Sequence, residues 1–270
     1  MFLLCLPGFA GFLLFYLLPF CRTLLYSIED DTYHHEVVGL NNYFAIFRNS
    51  YFRLALKNTI LFSILGVSLL ILIAVTFSFL ISSLLAKNEL IQNALLFPMF
   101  LPTVSVIFVW KLAFESQQFS VLFKEGSEVA DVVPILLLFL WKNTGLVVVI
   151  LLSAIARIPD CIFEAAQVDG AARVRRFCSI TLPLISPTLF FSFVISFVNS
   201  MKIFRESYLY YGNGYPPDSV YTVQFYMNNH FQKLNYQNLS CASVIVAVFV
   251  GILIVLGYQL QNHVFKDVEL

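Results

Sequence analysis

The side chains equipped for chemistry in this sequence are few, and most sit in oily surroundings. In the stretch 184–208, Ser192, Ser196, Asn199 and Glu206 follow at offsets of 4, 3 and 7, one face of a helix, with Ser200 and Lys202 flanking it. In the stretch 132–156, Trp141, Lys142, Asn143, Thr144 and Gly145 stand together. A charge at the centre of a membrane helix costs about 2.5–3.5 kcal/mol on insertion scales, so such groups face a cavity or a partner helix. An amide, hydroxyls and an aromatic ring suit recognition rather than bond-making. They can hydrogen-bond the hydroxyls of a sugar ring and stack on its apolar face. The plainer alternative is that Ser192, Ser196 and Asn199 bond a neighbouring helix, a contribution of about 0.6 kcal/mol each. Lys142 and Lys202 could also reach outward to the interface, and Lys202 and Glu206 form an i,i+4 pair that could neutralise itself. His34, His35 and His230 show no metal-ligand spacing and read as surface residues, so no metal site is expected.

These groups need elements to hold them, and the composition says what kind. Of 270 residues, 59% are hydrophobic and 12% charged, and mean hydropathy is +0.82. A soluble domain is nearer half apolar and a quarter charged, so this is an integral membrane protein. The net charge is zero and gives no sign of a nucleic-acid partner. Cys5, Cys21, Cys161, Cys178 and Cys241 are scattered, which is neither a disulfide framework nor a ligand set, and they read as buried or free thiols.

Spanning about 30 Å of hydrocarbon takes roughly 20 apolar residues in a helix. Six stretches qualify: 2–26, 58–86, 91–113, 132–156, 184–208 and 241–261. No Lys or Arg precedes the first, so it is expected to be a retained transmembrane helix rather than a cleaved signal. The whole chain, 1–270, is expected to be a single all-α membrane domain with both termini on one side. The segments 27–57, 114–131 and 209–240 then lie on one face, and 87–90, 157–183 and the tail from 262 on the other. Lysine and arginine do not orient the chain clearly. Only the cluster Arg173, Arg175, Arg176 with Arg157 favours a cytoplasmic 157–183 segment. Within 209–240, "DSVYTVQFYMNNHFQKL" reads as a short amphipathic helix.

The segment 157–183 does not suit lipid. Pro159 fits the first position of a helix, and Asp160 in the first turn complements its dipole. Ile162, Phe163 and Ala166 make an apolar face with Ala165 beside it, and Asp169-Gly170 ends the helix with a turn. A second, basic helix begins at "AARVRRFC", and Pro183 is expected to break the chain before the next span. On these grounds alone the first helix either docks into a groove of a soluble partner or rests on the membrane surface.

"EAAQVDGAARVRRFCSITLPLISP" resembles the EAA loop of binding-protein-dependent ABC importer permeases: Glu164, Ala165, Ala166, Gly170, Ile180, Leu182 and Pro183 stand at that loop's spacing. "VGLNNYFAIF", "LFPMFLPTVSVIFVWKLAF" and "LWKNTGLVVVILLSAIARIP" are similar to carbohydrate-type permeases related to the maltose and glycerol-phosphate importers. The outer segment "YYGNGYPPDS" departs from the Gly-Gly-Pro common there. The resemblance implies a type I importer permease fold with six transmembrane helices and a cytoplasmic coupling helix. It implies ATPase-coupling residues Glu164, Ala165, Ala166, Asp169, Gly170 and Pro183. By position it places Asn143, Leu146, Ser196, Asn199 and Lys202 along the substrate pathway. The implied partners are a second homologous permease (a heterodimer), a cytoplasmic ABC ATPase dimer and an extracytoplasmic solute-binding protein. The implied location is a bacterial inner membrane with both termini cytoplasmic. No Walker motif occurs in the chain, so it is not expected to be an enzyme or to bind a cofactor, and ATP and Mg are expected on the ATPase. Two alternatives stay open: a permease for a solute such as a polyol phosphate, needing a cationic site from Lys142 or Lys202, and a transporter working alone.

Overall fold

In lipid every backbone N–H and C=O must be satisfied within the protein, which helices do segment by segment. The computed structural model describes residues 2–30, 36–85, 89–115, 127–212 and 214–264. In chain order these form α1 (Phe2–Phe12), a π turn (Leu13–Leu17), α2 (Leu18–Ile28), α3 (Asn41–Arg48), α4 (Ser50–Leu85), α5 (Glu89–Phe100) and α6 (Thr103–Phe114). Then come α7 (Glu128–Ile155), α8 (Asp160–Val168), α9 (Arg173–Arg176), a second π turn (Phe177–Thr181), α10 (Leu182–Leu184), α11 (Ser186–Met201) and α12 (Phe204–Tyr211). A 3-10 turn (Asp218–Val220), α13 (Val223–Gln232) and α14 (Tyr236–Val264) complete them. Among the described residues there is no strand, only an isolated bridge from Glu29 to Val37. In the same residues five helical stretches are long and apolar enough to cross a membrane, and α5 with α6 makes a sixth, bent by 85°. His34, His35 and most of 114–131 lie outside the described residues.

The chain divides into two compact units. One comprises Met1–Thr59 and Tyr221–Ile252. Here α4 starts at Ser50, well before the expected 58, because Asn49 caps it: its Oδ1 accepts from the backbone N–H groups of Tyr51 (2.9 Å) and Phe52 (3.3 Å). Phe52 and Ala55 on those first turns are fully buried, and Phe52 packs edge-on to Tyr226 at 5.3 Å. Helix α13 is the amphipathic helix expected near 218–234. Thr222 gives it no side-chain cap. Instead Thr59 Oγ1 accepts from Val223 N–H at 2.9 Å, and Asn58 Nδ2 donates to the Tyr221 carbonyl at 3.0 Å. His230 is not a surface residue as expected. It is half-buried, with its ring against Tyr226 at 4.3 Å. Asn235 Oδ1 caps α14 by accepting from Asn238 N–H at 3.0 Å, which starts that helix earlier than 241.

The other unit comprises Ile60–Val220 and Leu253–Leu270. Helix α7 is its centre: Leu138, Phe139, Val147, Val148, Leu151 and Leu152 are buried, and α5 and α11 pack on it. Ser127 Oγ caps α7 by accepting from Ala130 N–H at 3.2 Å. Gly145 lets α5 approach, since a Cβ there would overlap the backbone carbonyl of Leu95. The expected unbroken third span, 91–113, is instead two helices. Pro102 holds an extended ψ of 121° and excludes the helical region for Leu101, so α6 leaves at a new angle. On α11 the serines at i, i+4 and i+8, Ser192, Ser196 and Ser200, are buried, and Ser200 Oγ meets Ser63 Oγ of α4 at 2.9 Å.

Candidate functional site

The loop 157–183 presents a short helix with one face held and one face free. Pro159 is the residue before α8 rather than its first helical residue, with ψ 135°. Asp160 opens the first turn as expected. Ala166 is buried and Ile162 and Phe163 half-buried, while Glu164, Ala165, Gln167 and Asp169 are exposed, and Val168 is 88% exposed. The helix ends in a Schellman motif. Gly170 takes φ 73°, its N–H bonds the Gln167 carbonyl at 3.0 Å, and Ala171 N–H bonds the Ala166 carbonyl at 2.9 Å. The space around a Cβ at Gly170 is open. Backbone handedness alone asks for glycine there.

Helix α9 anchors the loop. Arg173 Nη2 donates to the Phe79 and Leu80 carbonyls at 3.0 and 3.4 Å, and its guanidinium lies 5.0 Å over the Phe79 ring. Phe79 in turn packs on Phe177 at 4.7 Å. Pro183 does not break the chain here. The π turn Phe177–Thr181 carries a Leu182 N–H to Phe177 O bond, which opens the helix where the proline ring would meet the preceding carbonyl, so α10 continues through it. The break falls at Ile185, with ψ 6°, just ahead of Pro187 in the first turn of α11.

The second cluster lies among α6, α7, α11 and α12. Asn199 Nδ2 donates to Asn143 Oδ1 at 3.0 Å, and Asn143 Nδ2 donates to the Phe139 carbonyl at 2.8 Å. Lys142 Nζ bonds Glu206 Oε1 at 2.9 Å and Thr103 Oγ1 at 3.2 Å, with only 15% and 13% of the two charged side chains exposed. The Lys202–Glu206 pairing expected from spacing does not form. The helix is interrupted at 202–203, where Lys202 N–H reaches back only to the Asn199 carbonyl at 3.1 Å, and Glu206 turns to Lys142. Lys142 therefore does not reach outward, whereas Lys202 is exposed.

The structure thus brings Asn143 and Asn199 together, leaves Leu146 half-buried on α7, and buries Ser196 with its hydroxyl unpartnered among the described residues. Trp141 does not join the asparagines. Residues two apart on a helix point about 200° apart, and Trp141 stacks on Trp110 at 5.6 Å beside an apolar hollow of about 630 Å³. Sequence reasoning missed Thr103 and the Lys142–Glu206 pair. The available signal was that two charges of opposite sign inside spans need each other.

Comparison with known proteins agrees with this architecture. The MalF permease protein of the trehalose/maltose transport system of Thermococcus litoralis is 27% identical over 92% of this chain and 89% of its own length. The AraP permease protein of the arabinooligosaccharides transport system of Bacillus subtilis is 27% identical over 93% and 84%. The UgpA permease protein of the sn-glycerol-3-phosphate transport system of Yersinia pestis is 28% identical over 73% and 71%. A chain from the crystal structure of a bacterial alginate ABC transporter, in complex with alginate pentasaccharide-bound periplasmic protein, superposes with a TM-score of 0.81. It shares 20% identity and is covered to 94%, against 98% of this chain. That likeness carries the fold, the type I permease of ABC importers. The profile of the family described as "Binding-protein-dependent transport system inner membrane component" matches residues 84–270, and this chain, a multi-pass membrane protein, belongs to that family.

Proposed function

We propose that the chain is one of two permease subunits of an ATP-driven importer of sugars or oligosaccharides, forming half of the pore and taking its motion from a cytoplasmic ATPase through α8. The observation that carries the reading is the exposed face of Glu164, Ala165 and Asp169 on a helix ended by Gly170, in a loop that Arg173 ties to α4. Ala166, Gly170 and Pro183 act by shaping the loop rather than by contact. In this reading the partner permease is a homologous, non-identical chain. A solute-binding protein delivers substrate to the segments 27–57, 114–131 and 209–240, and both termini face the cytoplasm of a bacterial cell. The chain holds no cofactor of its own, because it lacks the phosphate-cradling motif, and ATP and Mg sit on the ATPase.

For the solute, the names of the relatives above and the Asn143–Asn199 pair support a hydroxylated molecule. Each amide keeps hydrogen-bonding capacity beyond the pair. A polyol phosphate would call on a cation in the pore. Lys142 answers that poorly, because its charge is matched by Glu206. Uptake of a labelled oligosaccharide into vesicles carrying this chain with its partner permease, ATPase and binding protein tests the whole reading. Uptake should require ATP. Uptake by this chain alone, driven by an ion gradient, would sink it.

A further inference from the structure

Where α4 and α7 finish, a cavity of about 600 Å³ opens behind the docking loop. Ser82 and Ile155, which end the two apolar spans, both line it, so it lies at the depth where hydrocarbon gives way to headgroups. Phe79, Phe163 and Phe177 supply apolar wall, and Arg157, Arg173 and Arg176 bring three guanidinium groups, of which Asp160 offsets one. Arg173 is fixed by Phe79 and Leu80. The guanidinium groups of Arg157 and Arg176 have no hydrogen bond or ion pair among the described residues, their backbone N–H groups alone being bonded within the loop. The docking face of α8 uses Glu164, Ala165 and Asp169 and leaves this hollow unexplained.

An arginine cluster that keeps net positive charge beside aromatic walls at headgroup depth suits a phosphate group attached to an acyl chain. We propose that this cavity binds the phosphodiester of an anionic phospholipid, with Arg157 and Arg176 on the phosphate and the phenylalanines along the upper acyl chain. The shared chemistry is a phosphate anion. The apolar walls and the depth favour a lipid over a free anion, and over the acidic side chains of a soluble partner.

Native mass spectrometry of the chain in nonionic detergent, doped with phosphatidylglycerol, phosphatidylcholine or inorganic phosphate, tests this. Phosphatidylglycerol should stay bound in preference to phosphatidylcholine. R157Q/R176Q should retain about tenfold less of it. R205Q, which removes an exposed arginine outside the cavity, should retain it fully. R157K/R176K keeps the charges and should retain most of the lipid, which separates loss of the site from loss of the fold. Undiminished binding by R157Q/R176Q, or equal binding of phosphatidylcholine, overturns the proposal. Release of lipid by inorganic phosphate at equal concentration would assign the cavity to a free anion and overturn the lipid source. Lipid that is displaced when the ATPase assembles onto the chain would give the cavity to an acidic protein partner instead, with the same result.

Discussion

Lys142 and Glu206 show what a membrane-embedded charge needs. Both carboxylate and ammonium are largely shielded, and Thr103 Oγ1 accepts a further hydrogen bond from the ammonium. Removing one partner leaves the other charge buried, a loss of about 3–5 kcal/mol, whereas removing both leaves a site that repacks. Lys142→Leu and Glu206→Leu should therefore each lower thermal stability in detergent strongly, and the double variant should recover most of it. Additive losses in the double variant would mean the pair is not coupled. Asn199→Leu strips Asn143 of its hydrogen-bond donor. It should reduce uptake without lowering expression, and unchanged rate and apparent affinity would leave the pair a helix-to-helix bond only. On α13, burial first and Lys233 second lower the His230 pKa from its ordinary 6.5. The folded chain resists protonation there, so stability present above that value is lost as pH falls through it. His230→Gln should flatten the slope of stability as pH falls below about 6.5.

At the scale of elements, two glycines do different jobs. Gly170 has room for a side chain but a left-handed backbone, so Gly170→Ala should cost about 1 kcal/mol and reorient α8. Gly145 has an ordinary helical backbone but no room, so Gly145→Val should force α5 from α7 and reduce folded yield. Gly251→Ala, in a helical backbone with open space around it, should be neutral or stabilising by up to about 1 kcal/mol in thermal unfolding and so contrasts with both. The contrast also marks what was legible beforehand. Spans could be read because lipid imposes length and apolarity on each segment separately, and the α8 turn because Asp169-Gly170 is a local signal. The 85° break at Leu101–Pro102 could not be read, because Pro98 in the same stretch is carried within α5 while Pro102 ends it. Pro183 misled for the same reason: a proline says a carbonyl is freed, but not whether a π turn will absorb it. The Lys142–Glu206 pairing was signalled only by two opposite charges inside spans, and the nearer candidate, Lys202, drew the assignment because no residue announces the helix interruption that removes it.

At the scale of the molecule, the proposed role asks for recognition and motion rather than bond-breaking. The Asn143–Asn199 pair joins the fourth and fifth spans, and α8, the proposed docking helix, lies in the loop directly between them. Displacing α8 would therefore act on both spans that carry Asn143 and Asn199, a short mechanical route from an ATPase to a solute. The most direct test is Glu164→Lys in the reconstituted transporter, with ATP hydrolysis and solute uptake measured in the same vesicles. Glu164 is exposed, so the variant should insert and fold normally. Uptake should be lost while the ATPase continues to hydrolyse ATP without control by the solute-loaded binding protein. Uptake at the unaltered rate, with hydrolysis still coupled to it, would contradict the assignment of α8 as the coupling element.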